Sequence, residues 1–210
     1  ILIKIKDIKK QHSFQKIKTY FEKIKNLNVL VIGDTIIDKY INVNPLGKPS
    51  KELIMATQLI DEKKFVGGVF GTANNIANYC NNVSVLSISN NNKNERSFIL
   101  EKISKKIDTK FFLHSPNPTT TKTRFIHNNY SHVRKLFEVY DMNDTPIKNS
   151  YENKILKLLN NKLGFYDIVL VNDYGHGLMT EKIRKLIERK SKFLSLNCQI
   201  NAGNEGFNLI

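Results

Sequence analysis

The sequence predicts an α/β protein with a doubly wound, mostly parallel sheet and a small β-sheet lid, and three observations predict it. Val29-Leu30-Val31-Ile32 and Ile168-Val169-Leu170-Val171 are continuous apolar runs, which is how strands buried on both faces of a parallel sheet read. Segments with apolar residues at helical spacing alternate with such strands, as layered α/β architecture requires. From Lys39 to Phe65 the pattern changes to β-type pieces broken by Pro45, Gly47 and Pro49, too irregular for a helix and too long for a plain turn.

Taken in order, Ser13 is placed to cap a helix whose apolar positions Phe14, Ile17, Phe21 and Ile24 leave lysines on the other face. Residues 1–27 are therefore expected to be a leading helix or linker, and 28–210 the main domain. The run at 29–32 is the first central strand and ends at Gly33-Asp34. After Gly67-Gly68, the residues Ala73, Ile76, Ala77 and Cys80 recur at i, i+3, i+4 and i+7, the mark of a short helix packing small residues on the sheet. Val83 to Ile88 reads as a strand. A helix through Phe98, Ile99, Ile103 and Ile107 leads to a short strand at Phe111 to Leu113.

The β-branched stretch from Thr119 to Ile126 and the segment Lys135 to Tyr140 read as two strands joined at a polar turn, His127-Asn128-Asn129. The lid is expected to comprise about 39–65 plus 122–140. Tyr151, Ile155, Leu158 and Leu159 mark a helix. The strand at 168–171 ends in Asn172-Asp173-Tyr174-Gly175-His176-Gly177, Thr180 caps a helix through Ile183, Leu186 and Ile187, and Phe193 to Leu196 closes the series as a strand ending at Asn197. In such folds ligands bind beyond the strands' carboxyl ends.

Bulk properties narrow the function classes. A chain of 210 residues with 40% hydrophobic and 25% charged residues fits one core with an appendage. No apolar run approaches the roughly 20 residues of a membrane span. The net charge of +14 would attract phosphate or anionic lipid, but the lysines lie singly or in pairs from Lys4 to Lys192, on the polar faces of helical segments, so no specific nucleic-acid partner is expected. Cys80 and Cys198 are the two cysteines. They form no zinc-type spacing, and with no signal-peptide pattern at residues 1–25 a cytoplasmic setting is expected. The chain starts at Ile1 and is expected to be a fragment.

Four polar clusters follow predicted strands or open helices: Gly33-Asp34 with Asp38, Gly67-Gly68, Thr119 to Arg124, and Asn172 to Gly177. Asp38 can accept two hydrogen bonds from vicinal hydroxyls, as a sugar demands of a carboxylate; the alternative is an aspartate that orders the turn. Gly67-Gly68 lets backbone approach a ligand closely, and equally suits a hinge between lid and body. Lys122 and Arg124 alternate with Thr123, so on a strand they share one face and could grip a phosphate or simply meet solvent.

Together these clusters resemble the ribokinase/PfkB carbohydrate kinases, in matching order from residue 29 onward, and most specifically the heptose 7-phosphate kinases. The segments that carry the resemblance are VLVIGDTIID (29–38), the diglycine helix start, PTTTKTR (118–124), and the Asn172 to Gly177 turn, similar to an SDYGKG-like motif. The resemblance implies that Asp38 holds sugar hydroxyls, that Gly67 and Gly68 let the lid close, that Lys122 and Arg124 lie near the substrate's phosphate, and that Asp173 sits near the phosphoryl-transfer site. It implies a sugar phosphate substrate, ATP and Mg2+ as cofactors, and allows a homodimer through the β lid and a fused nucleotidyltransferase domain.

There are departures. Where the family reads GGAANVA, this sequence has GGVFGTA, placing Gly71 at the sugar-touching asparagine, with Asn75 (or Asn74) the substitute one turn on. His176 replaces the family's lysine, and Asn197-Cys198-Gln199-Ile200-Asn201 replaces an Asp-Pro-Lys segment, leaving Asn197 as the nucleotide-side candidate. The GAGD-like motif whose aspartate activates the acceptor hydroxyl does not occur, so the 210 residues alone are expected not to turn over. No metal-ligating residue is singled out. A catalytically lost sugar-binding or regulatory module of the same fold is the competing reading, and a charge-driven nucleic-acid binder the third.

Overall fold

The computed structural model describes residues 12–47, 54–129 and 132–199; Lys4, Pro49, Ile200 and Asn201, used in the sequence reading, lie outside them. The elements in chain order are α1 (Phe14–Lys25), β1 (Asn28–Gly33), β2 (Thr35–Gly47), β3 (Ala56–Gly67), α2 (Gly68–Ile76), β4 (Asn82–Asn90), α3 (Lys93–Lys102), β5 (Ile107–Ser115), β6 (Thr120–Asn129), β7 (His132–Asp141), α4 (Asn149–Lys162), β8 (Ile168–Asp173), α5 (Glu181–Lys190) and β9 (Leu194–Cys198). A single 3-10 turn, Leu163–Phe165, follows α4.

Five strands form a parallel sheet in the order β5-β4-β1-β8-β9. The two apolar runs are its central neighbours, Val29 beside Ile168 through Ile32 beside Val171. Strand pleating sends alternate side chains to opposite faces, and β1 feeds two cores accordingly. Leu30 and Ile32 join Ile155, Leu159, Ile183 and Ile187 of α4 and α5 on one face. Val29 and Val31 join Phe70 and Ala73 of α2 and Ile99 of α3 on the other. Each fully buried aliphatic side chain contributes about 1.5–3 kcal/mol relative to exposure, so this double burial is what makes the predicted doubly wound layer architecture the stable one.

The chain runs from β1 outward through β4 and β5, then returns to the other side of β1 as β8 and β9. Strand order therefore reverses between β1 and β8, and a crevice opens outside the carboxyl ends there.

A second sheet, ordered β3-β2-β6-β7, stands on this edge. Its outer pairs are antiparallel and its central pair, β2 with β6, is parallel. Pro45 does not break it as expected: β2 runs 13 residues, through Pro45 to Gly47, with the irregularity absorbed as register shifts at Asn42/Val43 and Pro45/Gly47. Two further expectations are corrected. Ile107 begins β5 rather than ending a helix, because α3 stops at Lys102. His127, Asn128 and Asn129 extend β6 in ladder with β7 rather than forming the turn, since Asn42 Oδ1 accepts from the Asn128 amide and the Val43 carbonyl lies 3.0 Å from His127 Nδ1.

The caps fall where the residue types place them. Ser13 Oγ accepts from the Lys16 amide at 3.2 Å, and Thr180 Oγ1 from the Ile183 amide at 3.5 Å. Among the described residues no helix is long and apolar enough to cross a membrane.

Candidate functional site

The inner face of the second sheet is built by strand alternation. Asp38 lies beside Lys122, Tyr40 beside Arg124, Lys122 beside Tyr140, and Arg124 beside Glu138, so six polar or aromatic side chains from β2, β6 and β7 share one face. Arg124 is the hub. Its guanidinium bonds the Asp38 carboxylate, approaches Glu138 Oε1 at 3.6 Å through Nε, and lies 5.3 Å from the Tyr40 ring centre. Burial is the largest single influence and opposes the Arg124 charge, but the hydrogen bond to Asp38 and the charges of Asp38, Tyr40 and Glu138 together outweigh it and the pKa is raised. Glu138 is held below the usual carboxylate range by the Lys135 ammonium and the Tyr140 hydroxyl.

Lys122 differs from its neighbour. The residue is buried, and its ammonium sits between two rings, 5.4 Å from the centre of Tyr140 and 5.8 Å from Tyr174. Among the described residues it makes no ion pair with a carboxylate. Burial, with Arg124 adding to it, lowers its pKa. Tyr174 belongs to the turn after β8, so Lys122 joins the second sheet to the carboxyl end of the first.

The diglycine is fixed by close approach. A Cβ on Gly67 would lie 2.2 Å from Asp38 Oδ2, and one on Gly68, whose φ is +55°, would lie 2.3 Å from the Asp34 carbonyl. That carbonyl accepts from the Val69 amide at 3.0 Å. Two residues without Cβ therefore let α2 start directly against the end of β1 and beside Asp38.

At the switch point Asp34 is fully buried. Its Oδ2 accepts from the backbone amides of Tyr174 at 2.9 Å and His176 at 3.4 Å. Burial pushes its pKa up to about 6 despite the nearby His176. Asp173 ends β8; its Oδ1 accepts from the Gly175 amide at 2.9 Å, while Oδ2 is buried without a partner among the described residues. Burial raises its pKa as well. Asp173 faces an adjoining hollow with Asp144, Thr180 and Arg184, and the His176–Asp144 pair, 2.7 Å apart, stands between that hollow and the crevice at Asp34.

The structure thus brings together Asp38, Gly67, Lys122 and Arg124, with Gly68 directly behind. Asp173 lies in the next hollow. Asn75 is exposed one turn beyond Thr72 on α2, and Thr72 is the polar residue that α2 presents to the first sheet, accepting from Asn172 Nδ2 at 3.0 Å. Asn74 is spent on the Lys102 carbonyl and the Ser104 amide. Asn197 is exposed on the edge strand β9, paired in register with Asn172. Sequence reasoning did not single out Tyr40, Glu138, Tyr140 or Asp144. The alternation of Glu138 and Tyr140 on β7 was the available signal; Asp144, in a loop, gave none.

No family model matches the chain. Bifunctional protein HldE of Geobacter metallireducens is 27% identical over 167 residues, covering 79% of this chain and 33% of that protein. The namesake from Aliarcobacter butzleri is 29% identical over 163 residues, covering 76% and 33%. The chain therefore spans about a third of the length of these curated relatives. Among solved structures, phosphofructokinase-2 from Escherichia coli in complex with fructose-6-phosphate superposes with a TM-score of 0.59 at 10% identity, covering 81% of this chain and 54% of that one. Arabidopsis thaliana ribokinase complexed with ribose and ATP gives 0.51 at 12% identity, covering 81% and 53%. The fold is one the chain shares with phosphofructokinase-2 and ribokinase, and the similarity to the HldE proteins holds over most of the chain.

Proposed function

We propose that this chain is the sugar-phosphate-binding part of an ATP-dependent carbohydrate kinase, of the heptose 7-phosphate kinase type. The observation that carries the reading is the position of Lys122: a buried ammonium with no carboxylate partner among the described residues, framed by Tyr140 and Tyr174 where the two sheets meet. A desolvated cation of this kind favours an anionic oxygen more strongly than one in water does. Beside it, the Asp38 carboxylate is held by Arg124 and keeps lone pairs for vicinal hydroxyls. The similarity to HldE proteins and the ribokinase-like fold support the same substrate class.

In this reading the second sheet closes over the sugar. Lys122, with Arg124, neutralises the phosphate already present on the substrate, Asp38 orients the ring through its hydroxyls, and Gly67 lets the carboxylate and the lid approach without a Cβ between them. These residues accelerate transfer by positioning, which for phosphoryl transfer is the larger part of the protein's contribution. Asp173, with an unspent Oδ2, is the residue nearest in character to the transferring group.

ATP and Mg2+ enter through the family resemblance. Among the described residues no group of three or more His, Cys, Asp or Glu side chains comes together for a metal, and Asn197 is the proposed nucleotide-side contact. The homodimer through the second sheet, the fused nucleotidyltransferase and the cytoplasmic setting belong to the same proposal. Exposed Val133, Phe137 and Val139 on β7 suit the first of these.

A catalytically lost binding module remains the second reading, favoured by His176 in place of the family's lysine. A coupled ADP-release assay on the full-length protein with heptose 7-phosphate, ATP and Mg2+ separates the two: turnover is the expected result, and sugar phosphate binding without turnover would select the binding module. Failure of any sugar phosphate to bind would overturn both.

A further inference from the structure

The crevice outside β1, β4 and β5 is walled by Thr35, Ser89, Ser115, Thr119, Thr145 and His176. The hydroxyls of these five serines and threonines are already engaged. Thr35 Oγ1 lies 2.7 Å from Ser87 Oγ, and Ser89 Oγ donates to the Asn90 carbonyl at 3.0 Å. Ser115 Oγ accepts from the Asn117 amide at 3.2 Å, and Thr119 Oγ1 accepts from the Asn90 amide at 2.8 Å while donating to Glu95. Thr145 Oγ1 donates to Asn143 Oδ1 at 2.7 Å.

His176 is the exception on this wall. Its side chain is 3% exposed, and Nδ1 is engaged with Asp144 at 2.7 Å. Nε2 is buried and has no hydrogen-bond partner among the described residues. Buried polar atoms are nearly always paired, and one that is not calls for a specific cause.

We propose that His176 determines substrate specificity, its Nε2 forming a hydrogen bond with a hydroxyl of the bound sugar phosphate while Asp144 holds the ring in place. The inference rests on the sugar-phosphate reading. With Nδ1 engaged by Asp144, Nε2 is the ring nitrogen left to meet a ligand. A hydroxyl can donate to it or accept from it, whereas a deoxy position can do neither.

Among the described residues no lysine or arginine lines the crevice and the Asp34 carboxyl does, so it does not suit a phosphate, which stays at Lys122. Thr120 also lines the crevice and shares a strand face with Lys122, two residues on. Two strand residues advance about 7 Å. The crevice thus continues from the Lys122 face, and a polyol phosphate with its phosphate at Lys122 can extend a hydroxyl into it.

Calorimetric titration of the chain and its His176→Phe variant with heptose 7-phosphate, fructose 6-phosphate and inorganic phosphate tests this. The replacement should weaken the tighter-binding sugar phosphate about tenfold, the scale of one lost hydrogen bond to a buried group, and leave inorganic phosphate within twofold. Sugar phosphate affinity unchanged by the replacement overturns the role of His176 and leaves the sugar-phosphate reading standing. No binding of either sugar phosphate to the unsubstituted chain overturns both. Should the variant fail to fold, imidazole 15N shifts of the unsubstituted protein decide: an Nε2 resonance that moves on adding the sugar phosphate is expected, and one that stays fixed contradicts the proposal.

Discussion

The two sheets of this molecule put their residues to opposite uses. In the five-stranded sheet, β1 is buried on both faces and carries aliphatic side chains from Val29 to Ile32 into two cores. In the four-stranded sheet, the inner face carries Asp38, Lys122, Arg124 and Glu138, while Phe137 and Val139 on the other are exposed. The first sheet builds the two cores, and Asp34 and Asp173 stand where its strands stop. The second presents a charged inner face, the one on which the proposed sugar phosphate site is built.

The contrast should be sharpest in stability. Leu30→Ala removes a fully buried side chain from the central strand and should destabilise the fold by about 3–4 kcal/mol in denaturant unfolding. Val139→Ala on the exposed face should cost below about 1 kcal/mol; equal effects would break the distinction between the sheets.

Asp34 reverses the usual pattern. Its folded pKa of about 6 lies above the ordinary 3.8 because burial disfavours the charge. Its contribution to stability is therefore fully present below about pH 4 and is lost as pH rises through 6. Asp34→Asn keeps an acceptor for the Tyr174 amide, and should raise stability at pH 7 by about 1–2 kcal/mol and flatten the dependence between pH 4 and 6, as thermal melts across that range would record. A carboxylate kept at such a cost fits a group retained for function at the switch point.

Two smaller effects probe the second sheet. Lys122→Met should lower affinity for a sugar phosphate about tenfold or more while changing the melting temperature little, since burial already disfavours the ammonium. Asp38→Ala should weaken sugar binding in calorimetry by a comparable factor and leave inorganic phosphate binding nearly unchanged. Loss of phosphate binding in that variant would mean that Asp38 acts only by holding Arg124.

What could be read from the sequence follows the same division. The central strands and their helices were legible because continuous apolar runs and 3.6-residue spacing report burial directly, and the caps at Ser13 and Thr180 because those residue types bond the first free amides. The end of α3 was misread because Ile103 and Ile107 extend the helical spacing by chance into the β5 ladder. The β6–β7 hairpin was cut short because polar His127 to Asn129 look like a turn, although their partners on β2 keep them extended.

At the site, Lys122 and Arg124 were visible through alternation, and Asp38 through its distance from the strand end. Asp144 and the pairing of His176 were not, because loop contacts set by β8 and the segment after β7 leave no periodic trace. Asn75 was placed by motif position, whereas one helical turn decides that Thr72 meets Asn172.

The proposed site requires the two sheets to share one ligand. Chemical-shift mapping of the 15N-labelled chain with heptose 7-phosphate tests this directly. Concerted changes are predicted at Asp38, Lys122 and Arg124 of the second sheet and at Tyr174 and His176 beyond the first. Changes confined to one group, or none at saturating ligand, would contradict it.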